Sequence, residues 1–199
     1  ESHFDRFRPV VRQRWREEPG PGAGIWYDLG SHLVDQAITL FGLPEALTAR
    51  CLPLRDGSKT TDYFHVLLHY QGFEVILHAS SFSAAPNSRF RLEGSQGSFI
   101  KYGLDPQEGQ LKNGMRPAQS EYGVEDHEQY GSLYNETAVE RVETEAGCYQ
   151  RYYQSVVNAI NSGDRNPVSP SEAVEVLKIL ELAEKSSQQG QTLSVCEAD

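Results

Sequence analysis

Residues Gly24-Ile25-Trp26-Tyr27-Asp28-Leu29-Gly30-Ser31-His32-Leu33-Val34-Asp35 carry the densest chemistry in this 199-residue chain. From Asp28 to Phe41, the residues Leu29, Leu33, Ala37, Leu40 and Phe41 recur at helical spacing, and Gly42 with Pro44 supplies the stop. Asp28, His32 and Asp35 share the other side of that helix. A spacing of four sets Asp28 and His32 one above the other, so both address whatever lies in front of the helix start. Oxidation of an alcohol removes a hydride from carbon and a proton from oxygen, and an imidazole within reach of the hydroxyl suits the second task. His32 fits that role, with Asp28 binding a substrate hydroxyl or holding the ring. The same spacing also suits an N-cap aspartate with a solvent-facing partner, so the stretch alone leaves both readings open.

Upstream, Pro19-Gly20-Pro21-Gly22-Ala23-Gly24 is a loop by composition, because Pro fixes φ and Gly reaches conformations other residues avoid. Residues 1 to 8 alternate as a strand, with His3, Asp5 and Phe7 on one face and Ser2, Phe4 and Arg6 on the other, and Pro9 ends it. They read as the middle of a strand rather than as an initiator region or signal peptide, so an N-terminal portion is expected to precede them. Arg6, Arg8, Arg12, Arg14 and Arg16 form the one basic cluster, expected to be a solvated strand edge and loop.

Downstream, the segments Ala46 to Leu54, Tyr63 to Tyr70, Phe73 to Phe82, Ser88 to Glu93 and Ser98 to Tyr102 have strand composition, and Gln71-Gly72 and Gly94-Ser95-Gln96-Gly97 read as hairpin turns. Residues 105 to 144 are polar, acidic and irregular, and no element is assigned to them. A helix from about Ala146 to Asn161 carries Tyr149, Tyr152, Tyr153, Val156 and Ile160 on one side, expected to pack as core. The last helix opens on Ser169-Pro170-Ser171-Glu172, an N-cap serine, a first-turn proline and a glutamate three residues after the cap, and Gly190 stops it. The tail at Thr192 to Val195 is expected to add an edge strand. Clustered strands with helices at their ends and no βαβ alternation predict an α+β fold, an open, mostly antiparallel sheet with helices on one face, forming one domain over residues 1–199.

Composition narrows the function. With 38% hydrophobic residues the chain has the apolar material of a sizeable core. A net charge of -10 repels phosphate backbones and anionic membranes, so nucleic acid is not an expected partner. No apolar run approaches the roughly 20 residues of a membrane helix. Cys51, Cys148 and Cys196 are dispersed and odd in number, which suggests neither a disulfide framework nor zinc and points to a reducing, cytoplasmic home. His65 and His69 would stand about 13 Å apart along a strand, too far to share an ion, and no metal site is expected. His78 and His127 have no evident partner in the sequence.

The pattern G-x-x-x-D-x-G-x-H-x-x-D at Gly24 to Asp35 resembles the signature of the C-terminal domain of the Gfo/Idh/MocA oxidoreductases. The similarity continues through Phe4-Asp5-Arg6-Phe7-Arg8-Pro9, the strand pair around Tyr63 to Ser81, Leu92-Glu93-Gly94-Ser95-Gln96-Gly97, the aromatic helix and the Ser169-capped helix, and it is nearest to the branch of scyllo-inositol dehydrogenases. The resemblance implies a catalytic pair at Asp28 and His32, completed by a lysine from an N-terminal Rossmann domain that binds NAD or NADP. No Gly-x-Gly-x-x-Gly fingerprint occurs in these 199 residues, so no cofactor-binding residue is assigned here. It also implies substrate contacts from the opening strand, making His3 and Asp5 candidates, with Arg89 or Asn87 on a later strand; Trp26 and Tyr27 suit a wall of the sugar pocket or core packing equally. The implied function is hydride transfer between a nicotinamide and a sugar or inositol-like hydroxyl, in a homodimer paired through the sheet. A dimerisation or sugar-binding module without catalysis is the alternative.

Overall fold

Alternation of apolar and polar side chains sets the faces of the sheet that carries the site. In the computed structural model, which describes residues 1–195, the strands β1 (Ser2–His3), β2 (Ala46–Leu52), β3 (Tyr63–Tyr70) and β4 (Phe73–Ser80) lie in the order β1-β4-β3-β2, and Leu193–Ser194 adds a last strand beside β2. The β3–β4 hairpin runs in register from Tyr63↔Ser80 to Tyr70↔Phe73 around Gly72, whose φ of 87° is the left-handed value its tight turn requires. Among these strands the pairings are antiparallel except β1 with β4, which run parallel with Ser2 facing Leu77 and His3 facing His78.

One face of this sheet is apolar and closed. Leu47, Ala49, Phe64, Val66, Leu68, Val75, Leu77 and Ala79 are buried there. Against them pack α1 (Ser31–Phe41), through Leu33, Val34 and Ala37, and the last helix (Pro170–Gln189), through Ile179, Leu180 and Ala183. Full burial of each Val, Leu or Ile side chain among them stabilises by about 1.5–3 kcal/mol. The last helix is pinned to β2 as well, since the hydroxyls of Ser186 and Ser187 accept the backbone N–H groups of Ala49 and Cys51 at 3.0 and 2.8 Å. These elements, residues 1–87 with 171–195, form one compact unit; residues 88–170 form a second.

The helix expected from Asp28 begins earlier. Helical backbone starts at Gly24, residues Trp26–Gly30 form one π-helical turn, and α1 follows without a break. Leu40 and Phe41, expected in the apolar stripe, are exposed, and Val34 takes their place in the core; Phe41 packs instead against Tyr70 and Phe73. The π turn accounts for part of this change, because its wider winding rotates the residues after it relative to a straight α-helix.

The second unit carries β5 (Phe90–Gly94), β6 (Gly97–Lys101), β7 (Gly131–Tyr134) and β8 (Val139–Val142) as an antiparallel meander. The unassigned middle of the sequence holds α2 (Gln107–Lys112), β7 and β8, organised by polar side chains instead of apolar periodicity. Buried Gln107 accepts the Tyr149 N–H at 2.8 Å and donates to Asp105 at 3.0 Å, while Lys101 Nζ reaches Glu125 at 2.7 Å. The aromatic helix α3 (Tyr149–Ser162) buries none of its residues, and Tyr153 is 68% exposed, so its tyrosines do not pack as the core side expected of them. Cys51 and Cys148 are free thiols; Cys196 lies outside the described residues.

Candidate active site

Two glycines of the signature explain its local shape. Gly24 has φ of 84° and lies so close to the Thr61 backbone that a Cβ would come within 2.8 Å of its carbonyl oxygen, and the next residue, Ile25, donates its N–H to that oxygen. Gly30 lies under the Trp26 indole, where a Cβ would overlap the ring. Trp26 itself is 0% exposed, sits edge-on to Phe64 with ring centroids 4.8 Å apart, and donates its indole N–H to the Leu180 carbonyl at 2.9 Å. Its expected place in the wall of a sugar pocket is therefore corrected. Trp26 is a core anchor that ties the π turn to the last helix, because its bulk and its one donor are both satisfied inside.

The turn so anchored presents Asp28 to a cavity of about 80 Å³. Asp28 does not cap a helix, since it lies inside the π turn, and π turns of this kind recur at functional sites. Its Oδ1 pairs with Arg16 Nη1 at 2.7 Å. His32, at the start of α1, is solvent-exposed and, among the described residues, has no hydrogen-bond or charge partner. Beside it, Ser31 Oγ donates to the Tyr27 carbonyl at 2.8 Å, and Tyr27 Oη donates to Glu184 at 3.1 Å; burial pushes the Tyr27 phenol up to about 12.

The cavity's other walls are basic. Arg6, Arg8, Arg14, Arg16 and Arg55 line it together with Asp28 and Glu17. Buried Arg55 is the fixed point, with Nε 2.9 Å from Asp62, Nη2 3.3 Å from Glu17 and Nη1 donating to the carbonyls of Arg8 and Val10. The cluster expected as a solvated edge and loop thus contributes four of its five arginines to the cavity. Sequence reasoning missed this role, although even numbering along the opening strand, the face of Phe4 and Arg6, was the signal available.

His3 and Asp5 are not brought to Asp28. Neighbouring Phe4 and Arg6 line the cavity and Phe4 packs on the core, so alternation directs His3 and Asp5 to the opposite face of the sheet. There His78, in register with His3, supplies the partner that the sequence did not reveal: Asp5 Oδ2 is 3.5 Å from His3 Nδ1 and Asp5 Oδ1 is 3.4 Å from His78 Nε2. Asp5 also accepts the Ser80 N–H at 2.7 Å and the Asn87 amide at 2.6 Å. Burial alone would raise the Asp5 carboxyl, but the contacts with His3 and Asn87 outweigh it and the net direction is down. The Asp5 carboxylate holds His3 above its usual range, while burial pushes His78 below it. Ligand atoms of His3, Asp5 and His78 lie within 4.8 Å of one another, the grouping with metal-ligating composition among the described residues. Arg89 belongs to the second unit, where its guanidinium lies 4.5 Å from the Phe90 ring and burial lowers it to about 10.

Two other chemistries find little support. Burial pushes the Cys51 thiol up to about 12, far from a nucleophilic thiolate. The glycine-rich loop does not fit a pyrophosphate cradle, because Gly24 is packed on Thr61 and the Ile25 N–H is taken by the Thr61 carbonyl. Among the described residues no helix is long and apolar enough to cross a membrane.

Comparison with known proteins gives a consistent set of similarities. The profile described as the oxidoreductase family, C-terminal alpha/beta domain, matches residues 1–195. The uncharacterized oxidoreductase YdgJ of Escherichia coli K12 is 49% identical over 197 residues, which cover 97% of this chain and 56% of YdgJ. IolW of Bacillus subtilis 168, a scyllo-inositol 2-dehydrogenase (NADP(+)), is 38% identical over 194 residues, covering 96% of this chain and 54% of IolW. The solved YvaA structure from Bacillus subtilis superposes with a TM-score of 0.90 at 36% identity, over 97% of this chain and 56% of that one. The chain thus spans little more than half the length of these relatives.

Proposed function

This chain belongs to the Gfo/Idh/MocA oxidoreductases, as their C-terminal alpha/beta domain, and on that premise we propose that it forms the substrate side of a nicotinamide-dependent dehydrogenase acting on a sugar or inositol-like hydroxyl. The observation that carries this reading is the placement of Asp28 in the wall of a cavity by a π turn, with His32 exposed one turn further along the same helix. His32 accepts the hydroxyl proton as the carbonyl forms, and Asp28 orients the hydroxyl or the ring. NAD or NADP, when bound by residues outside this chain, supplies the hydride acceptor. A second copy pairs through the face of the sheet that carries His65, Leu67 and Ile76, opposite the helices.

Steady-state kinetics of the intact protein with inositols and sugars test the reading. His32→Ala lowers kcat by about 10²–10⁴-fold if the imidazole is the base, and undiminished turnover in that variant overturns the assignment. Sedimentation at micromolar concentration tests the pairing of two copies, and a monomer would overturn it.

A further inference from the structure

The walls of the Asp28 cavity are strongly cationic in a chain whose net charge is -10. Two of the five guanidiniums are already matched: Arg55 bridges Asp62 and Glu17, and Arg16 holds Asp28. Arg6 lies 5.0 Å from the Phe4 ring centroid. Arg8 and Arg14 remain, both exposed, and among the described residues neither guanidinium meets a carboxylate. Guanidiniums on one wall repel one another, and a neutral polyol needs hydrogen-bond donors and acceptors but no excess of cations. The Arg16 pairing also offsets the charge of Asp28, which would otherwise repel an anion entering the same cavity.

We propose that the substrate is a sugar or polyol bearing an anionic group, a carboxylate or a phosphate monoester, held by Arg8 and Arg14 while Asp28 faces a hydroxyl. The inference rests on the substrate-site reading above and narrows it. A planar guanidinium fork matches the paired oxygens of either anion, and a charge-assisted hydrogen bond of this kind outweighs a neutral one.

Calorimetric titration of the intact protein with glucose, glucuronate and glucose 6-phosphate tests the inference, since the three differ in the anionic group. At least one anionic sugar is expected to bind about tenfold or more tightly than glucose, to lose that advantage at raised ionic strength, and to identify whether carboxylate or phosphate is read. The double variant Arg8→Ala/Arg14→Ala, at two exposed positions and checked for native circular dichroism, is expected to bring the anionic sugar down to the level of glucose. Equal binding of all three sugars overturns the inference, even where turnover of neutral polyols upholds the dehydrogenase reading. An unchanged anionic sugar with weakened NADPH binding in the double variant also overturns it, by assigning the arginines to the nucleotide.

Discussion

Arg16 Nη1 lies 2.7 Å from Asp28 Oδ1, so the carboxylate expected to work with His32 is positioned by a guanidinium from the short 3-10 turn Trp15–Glu17 that precedes it. With Arg16 53% and Asp28 22% exposed, the pair adds under about 1 kcal/mol to stability. Its effect on positioning is larger. Arg16→Ala is expected to leave the melting temperature within a few degrees of the parent and to lower kcat/KM by ~10- to 100-fold. Unaltered kinetics would mean that Asp28 is held without it.

Gly30→Ala sets a methyl group into the Trp26 ring. The indole cannot retreat, because it is buried against Phe64 and bonded to Leu180. Overpacking of this kind costs about 1–3 kcal/mol or more, and denaturant titration is expected to show a lower midpoint. Trp26→Phe combined with Gly30→Ala should recover part of the loss, and no recovery would place the strain elsewhere.

Asp62 is fully buried and accepts the Leu54 N–H at 2.7 Å and Arg55 Nε at 2.9 Å. Asp62→Ala removes the nearer of the two carboxylates of buried Arg55 and leaves it the longer Glu17 contact at 3.3 Å, a change that costs up to about 3–5 kcal/mol. Thermal denaturation is expected to show a large drop, and a loss under about 1 kcal/mol would show that Arg55 relaxes to solvent.

His3 and His78 are expected to give stability opposite dependences on pH. The Asp5 carboxylate raises the folded-state value of His3 above 6.5, so its contribution is complete below that pH and is lost as pH rises through the folded value. Burial lowers His78, so its contribution is present above 6.5 and is lost as pH falls through its folded value. His3→Gln should flatten the profile on the alkaline side and His78→Gln on the acid side. NMR titration of the two rings checks the order directly, and a His78 value above that of His3 would refute it.

Local signals made much of the architecture legible. The β3 span and the start of β4 follow directly from residue composition and the Gln71-Gly72 turn, although β4 ends at Ser80 and not at Phe82, and the last helix starts at Pro170, directly after Ser169. The tail strand at Leu193–Ser194 lies within the stretch expected for it. The stretch between Asp105 and Thr144 was not legible, because Gln107 and Lys101 organise it through hydrogen bonds to residues far along the chain, and such pairings leave no period in the sequence.

The sequence by itself determined that Asp28 and His32 share a helix, that two glycines flank Asp28, and that the opening strand alternates. Only the tertiary structure decided which face of that strand meets Asp28. Alternation separates His3 and Asp5 from Phe4 and Arg6 but does not say which set faces the core. That was settled when Phe4 packed on the sheet's apolar side and His78 took up the other. Burial likewise decided Trp26: an indole beside a candidate catalytic residue reads as a wall or an anchor with equal ease, until the Leu180 carbonyl, 154 residues away, receives its N–H.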